Sequence, residues 1–138
     1  MSERLCAMLA AALLFFVVTL ERAPRLLDFN ITEFYLGKPN SCCEIYNVEG
    51  NARGEYKRLF DVYGEKATGL NEAQTEELIN KLDARFVFEE SSEATVGRYY
   101  YSDQISAYKF INGQKVNLHI VFDGATYCVG TPIIFGGY

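Results

Sequence analysis

The first feature of the chain is an apolar block. From Leu5 to Leu20 it reads LCAMLAAALLFFVVTL without a charge, between Arg4 and the pair Glu21-Arg22. A run with no polar stripe makes a helix that is hydrophobic all round, which belongs in a bilayer or in the middle of a core. At about 1.5 Å per residue it reaches about 24 Å, enough for a thin bilayer if the flanking residues snorkel. We read residues 1–23 as an uncleaved signal-anchor or a signal peptide. The exit through Thr19-Leu20-Glu21-Arg22-Ala23-Pro24 offers no small-x-small cleavage site, which favours the anchor. A buried core helix is the third reading. Arg4 lies on one side and Arg22 and Arg25 on the other, so charge does not set orientation. The part that follows is placed outside the cell because short N-terminal apolar segments export what they precede.

Residues 24–138 read as one domain, with no linker, repeat or low-complexity tract. Leu27 to Leu36 is aromatic and branched, a strand; Lys38-Pro39-Asn40-Ser41 breaks it, and Glu44 to Val48 forms a short second one. From Arg53 to Tyr63 the apolar positions Tyr56, Leu59, Phe60 and Tyr63 follow helical spacing, with Gly64 as the stop. A second helix opens at Asn71, whose side chain can accept from the N–H of Gln74 while Gln74 reaches back. Leu78, Ile79 and Leu82 give it a buried stripe.

Strand patterns return at Arg85–Glu89 and Val96–Tyr101, and Asn112-Gly113 and Asp123-Gly124 each sit between branched or aromatic runs. These dipeptides tolerate the positive φ of a type I′ turn. Two-residue turns would set Ala107 against Leu118 and Ile105 against Ile120. Across the second turn they would set Phe122 against Ala125, Ile120 against Tyr127 and Leu118 against Val129. Val116, Leu118, Ile120 and Phe122 then form the core face. The class that follows is α+β: an antiparallel sheet with two helices packed on one face.

Composition narrows the partners. The chain has 138 residues, 13 Lys+Arg and 18 Asp+Glu, for a formal charge of −5. Leaving out Glu3, Arg4, Glu21 and Arg22 does not change that balance, so no basic surface for a phosphate backbone is expected, and no nucleic acid. The single histidine excludes mechanisms that need a His pair.

The same register sets Ser106, His119 and Cys128 in a row on the other face of the sheet. A Cys128–His119 contact there would give a candidate catalytic nucleophile and base. With Cys42 and Cys43 the pair would make a four-ligand metal set, though no C-x-x-C spacing exists. Against both stands the ordinary role of a histidine on an outer strand face: solvated or hydrogen-bonded. Cys6 lies in the apolar run. Adjacent cysteines close a strained ring, so Cys42 or Cys43 with Cys128 is the pairing open to the domain, Cys43–Cys128 being our choice; free thiols are the alternative. Glu89, Glu90 and Glu93 around Ser91-Ser92 match no calcium loop and read as a solvated hairpin turn. Tyr99-Tyr100-Tyr101 offers an amphipathic contact surface, half of it buried by strand alternation. No phosphate loop, dinucleotide fingerprint or nucleophile elbow is present, and no cofactor is expected.

The C-terminal stretch resembles the end of the YwmB family of Gram-positive, largely spore-forming bacteria. The matching elements are Tyr101-Ser102, Asn112-Gly113 followed by Lys115-Val116-Asn117-Leu118, and the closing Val129-Gly130-Thr131-Pro132-Ile133-Ile134 ending on an aromatic. The helix at Asn71–Leu82 and the strand at Arg85–Glu89 stand in the expected order ahead of them. The resemblance implies a TATA-box-binding-protein-like α+β fold in an exported or membrane-anchored protein. It implies no catalytic residue, since the family has no established activity. Cys42-Cys43 is no part of its pattern, and members carry more chain ahead of this segment. The expectation is a non-enzymatic envelope protein held to the membrane through residues 5–20 and binding a protein partner. The alternative is a small thiol-dependent enzyme or metal-binding protein using Cys128 and His119.

Overall fold

The computed structural model describes residues 2–21, 27, 29, 31–36, 44–47 and 62–136. Helix α1 spans Glu3–Glu21. The domain follows as strands β1 (Ile31–Leu36), β2 (Glu44–Asn47) and β3 (Val62–Leu70), helix α2 (Glu72–Lys81), then β4 (Arg85–Ser91) and β5 (Val96–Tyr101). The order closes with β6 (Lys109–Ile111), β7 (Gln114–Val116), β8 (Leu118–Phe122) and β9 (Tyr127–Thr131). Seven strands make one antiparallel sheet in the order β2-β1-β3-β9-β8-β5-β4, and β6 and β7 pair apart from it. The class is α+β, as read from the sequence.

Helix α2 forms where its local signals place it. Asn71 is the N-cap, its Oδ1 accepting from the Gln74 N–H at 2.9 Å while Gln74 Oε1 accepts from the Asn71 N–H at 2.9 Å. Its buried face, Thr75, Leu78 and Leu82, packs on the sheet with Ala67, Leu70, Tyr100, Leu118, Ile120 and Val129, and Ile105 and Leu27 close the cluster. Among the described residues α2 is the one helix on that face. Most of the other expected helix, residues 53–61, lies outside the described residues. Its last position does not: Tyr63 is in β3, and the expected stop, Gly64, is a strand-interior residue opposite Tyr35. A Cβ at Gly64 would fall on the carbonyl of Thr131, so glycine here marks close backbone approach rather than a helix end. Strand β3 carries Gly64, Glu65, Lys66 and Gly69, a poor strand composition, and was not visible in the hydrophobic pattern.

Two register expectations are corrected. At the first hairpin Ile111 opposes Gln114, so Asn112-Gly113 is the two-residue turn, with φ of 51° and 75°. The ladder stops at Lys109–Val116, however. Leu118 pairs with Tyr100 and Ile120 with Arg98, not with Ala107 and Ile105, because β8 leaves β6 for β5. The switch occurs at Asn117, whose backbone N–H donates to Tyr100 O at 3.0 Å. Its buried side chain accepts from the Ser102 N–H and donates to Ser102 O and Ile105 O, fixing the loop between β5 and β6. Ser102 Oγ in turn donates to Leu82 O at the end of α2.

The second hairpin closes with Phe122 opposite Tyr127. Asp123 Oδ1 accepts from the N–H groups of Ala125 and Thr126, which makes a four-residue loop where a two-residue turn was expected. The slip is two residues, so the faces are preserved. Ile120 meets Val129 instead of Tyr127, and Val116, Leu118 and Ile120 are buried as expected, with Phe122 half-buried.

Candidate functional site

On the sheet face away from α2, His119 was expected to be solvated or hydrogen-bonded at the surface; it is hydrogen-bonded but buried, and the face is a second core with polar members. Six residues lie in direct register across it: Glu33, Lys66, Gly130, His119, Tyr99 and Phe88, one from each of β1, β3, β9, β8, β5 and β4. At one end Lys66 Nζ is 3.2 Å from Glu33 Oε1, both largely buried. At the other, His119 stacks on Tyr99 at 4.1 Å and Tyr99 on Phe88 at 4.4 Å. Between them Gly130 leaves room for the segment after β9 to fold back. A Cβ there would lie 2.6 Å from Ile134 Cγ1 and 3.0 Å from the Ile134 backbone. Ile134, Cys128 and Val121 pack together under this fold-back. Tyr35 and Phe135 fasten it to β1: the Tyr35 hydroxyl donates to Phe135 O at 3.4 Å and accepts from the Phe135 N–H at 3.1 Å.

This arrangement separates the expected row. His119 faces Tyr99 and Gly130, Cys128 faces Val121, and Ser106 is in no strand. His119 and Cys128 are diagonal neighbours, a relation that puts strand positions about 7–8 Å apart. The two-residue slip at the Asp123 loop is the cause. Cys128 is a free thiol and Cys6 another; Cys42 and Cys43, and with them the disulfide Cys43–Cys128 and the four-ligand metal set, lie outside the described residues. Among the described residues no three His, Cys, Asp or Glu side chains gather as metal ligands.

Burial sets the protonation of both candidate groups. It pushes the Cys128 thiol up to about 11, with the Lys66 ammonium opposing weakly, and it lowers the His119 imidazole to about 4. Near neutral pH both are uncharged, so neither thiolate nor imidazolium is at hand. His119 Nδ1 accepts from the Ile134 N–H at 3.3 Å, which leaves the ring proton on Nε2, facing Gly97. The ring braces the fold-back.

Folded His119 titrates near 4 and an unfolded histidine near 6.5, so the unfolded chain binds the proton more readily. The stability that depends on neutral His119 is complete above about pH 6.5 and is lost as pH falls toward 4. Going from near pH 7.5 to near pH 4.5 should cost about 2.5 kcal/mol through this group. Urea unfolding at both pH values checks it. The His119→Phe chain keeps the ring stack and should lose that much of the pH dependence; an unchanged difference would mean the imidazole is not held neutral.

The other segments singled out by composition find plain places. The expected turn is shorter than the acidic segment: Glu89 and Glu90 are strand residues of β4 opposite Arg98 and Gly97, Ser91 opposes Val96, and Glu93 alone of the three lies in the exposed turn, with Arg98 Nε 2.8 Å from Glu89 Oε2. Tyr99 and Tyr100 are buried on opposite faces and Tyr101 is half-buried. A shallow depression of about 70 Å³ lies between Val96, Arg98, Ile120, Phe122 and Tyr127, too small for more than a few atoms.

Helix α1 differs in kind. Every side chain described from Ser2 to Val17 is exposed, including Leu13 at 68%, Leu14 at 69% and Phe15 at 73%. Among the described residues no helix is long and apolar enough to cross a membrane. Compared with known proteins, the chain matches no family model, no curated protein and no solved structure.

Proposed function

We propose that this chain is a small membrane-tethered or exported α+β module of the cell envelope that works by binding a protein partner, not by catalysis. We also propose that it is a YwmB-type protein with a TATA-box-binding-protein-like arrangement of its sheet. The observation that carries the tether is α1, a helix with apolar side chains around its whole circumference and all of them exposed from Leu5 to Val17. Water is a poor solvent for such a surface, and fully burying one leucine or phenylalanine is worth about 1.5–3 kcal/mol. A bilayer supplies the burial that the domain does not. The apolar run is a few ångströms short of an average hydrocarbon core, which local thinning and the flanking Arg4 and Arg22 accommodate.

One feature favours binding over chemistry: Cys128 and His119 are uncharged near neutral pH and are set apart by the register of the sheet. The net charge of −5 turns the choice of partner away from nucleic acid and anionic wall polymers, toward protein. Fractionation of cells expressing a C-terminally tagged chain tests the reading. The tag should sediment with membranes and be lost when protease is added to wall-stripped cells. A soluble tag inside the cell, or a membrane-bound tag protected from protease, would overturn the extracytoplasmic tether.

A further inference from the structure

We propose that the β6–β7 hairpin is a second, reversible membrane contact that docks on the surface of an anionic bilayer, with Phe110 and Tyr108 in the headgroup region and Lys115 against lipid anions. This rests on the tethered reading above and adds to it a contact made by the domain itself.

The hairpin pairs apart from the seven-stranded sheet, and its inner face packs on the domain. On the inner face Val116 is fully buried, and Lys109 Nζ lies 5.6 Å and 5.7 Å over the Tyr63 and Phe135 rings. On the outer face Phe110 opposes Lys115, and Tyr108 meets Phe110 edge-to-face at 5.7 Å. Lys115 Nζ lies 4.2 Å over Tyr108 and 5.1 Å over Tyr101. Phe110 is 65% and Tyr108 44% exposed.

An ammonium resting on rings that reach solvent, beside a bare phenylalanine, is the chemistry of a bilayer interface. The rings take the boundary between headgroup and acyl chain, and the lysine stem lets its charge remain in the headgroups. Charge complementarity selects an anionic surface. The chain is net negative, yet the outer face of the hairpin presents Lys115, and the one acid between Tyr99 and Phe122, Asp103, already lies 3.5 Å from Arg85. A lysine near an anionic leaflet contributes about 1 kcal/mol, so Lys115 with its aromatic anchors suits a weak contact made by a domain that is already tethered.

The chain contains no tryptophan, so Phe110→Trp provides a single emitter at an exposed position. The full chain carrying it is reconstituted in vesicles of phosphatidylcholine, alone or mixed with phosphatidylglycerol. Flotation reads the tether; emission and its quenching by brominated lipids read the hairpin. The expected result is a blue shift with quenching on the mixed vesicles that added salt reverses. Lys115→Gln in the same background should lower the ratio of docked to undocked hairpin about fivefold. Vesicles that float with the chain while emission stays that of an exposed indole would overturn the docking and leave the tether standing; failure to float would overturn both. A shift of equal size on phosphatidylcholine alone overturns the anionic assignment. A shift that appears without lipid as protein concentration rises gives this face to a second copy of the chain and overturns the proposal.

Discussion

Two arginines in α1, Leu9→Arg with Leu13→Arg, are expected to move the chain from the membrane fraction to the soluble one. An arginine near the middle of an inserted helix costs about 2.5–3.5 kcal/mol, so the pair opposes insertion by about 6 kcal/mol, a factor of about ten thousand in partition. The two positions are one helical turn apart and therefore burden the same face. Leu9 is 55% and Leu13 68% exposed, so the domain loses no packing by the exchange. Its denaturant midpoint should match that of the unaltered chain. Fractionation and urea unfolding on the same preparations check both halves. A variant that still sediments with membranes would remove α1 as the tether, and one that unfolds earlier would make α1 part of the core.

The largest loss of stability is expected at Asn117→Asp. The amide of Asn117 donates to Ser102 O at 2.7 Å and to Ile105 O at 2.9 Å and accepts from the Ser102 N–H at 2.7 Å, all without contact with water. Aspartate keeps the shape and the acceptor but turns two donations into oxygen facing oxygen. Each unmet buried partner costs about 1–3 kcal/mol, and a carboxylate there must also be protonated or desolvated. The sum is about 5 kcal/mol, comparable with the whole stability of a small domain. The same loop is hung from α2 through Ser102 Oγ and Leu82 O and through Gln104 Nε2 and Lys81 O, so the loss is not confined to one strand end. Thermal unfolding followed by circular dichroism should show no cooperative transition near neutral pH. Asn117→Ala, which removes donors without adding charge, should fall between. A fully cooperative, unshifted transition for Asn117→Asp would mean that the loop does not depend on this amide.

What the sequence made legible was what short-range physics decides. The cap of α2 needs only Asn71 and Gln74, and the turn at Asn112-Gly113 needs only two residues that accept positive φ. Both are where the pattern puts them. Register beyond a turn is a competition, and a distant strand can win it. The partner of β8 depends on β5, about twenty residues away, displacing the residues next to β6, and the Asp123 loop depends on one carboxylate choosing two backbone donors. The candidate pair Cys128–His119 required the second ladder to run without a slip, and the row that adds Ser106 required the first as well. Strand β3 was illegible because its pairing rests on backbone: Gly64 and Gly69 offer no side chain, and Glu65 and Lys66 are buried only by virtue of partners brought by folding, the Leu27 N–H among them. The residues on which the family resemblance rests hold the fold in this chain. Ser102 binds Asn117, and Gly130 makes way for Ile134. That is why they speak to architecture and give no account of chemistry.

Strand order has a consequence for the sequence of events in synthesis. In β2-β1-β3-β9-β8-β5-β4 the left three strands and the right three are joined by strand pairing only through β9, though α2 packs on both. A nascent chain that has emerged as far as Phe122 therefore has two unpaired ribbons, each with an open inner edge and neither with the fold-back of Ile134 and Phe135 over it. One late strand of five residues, Tyr127–Thr131, converts them into a single sheet. Until then each ribbon stays close to the marginal limit of a few unsupported strands, and the chain remains threadable.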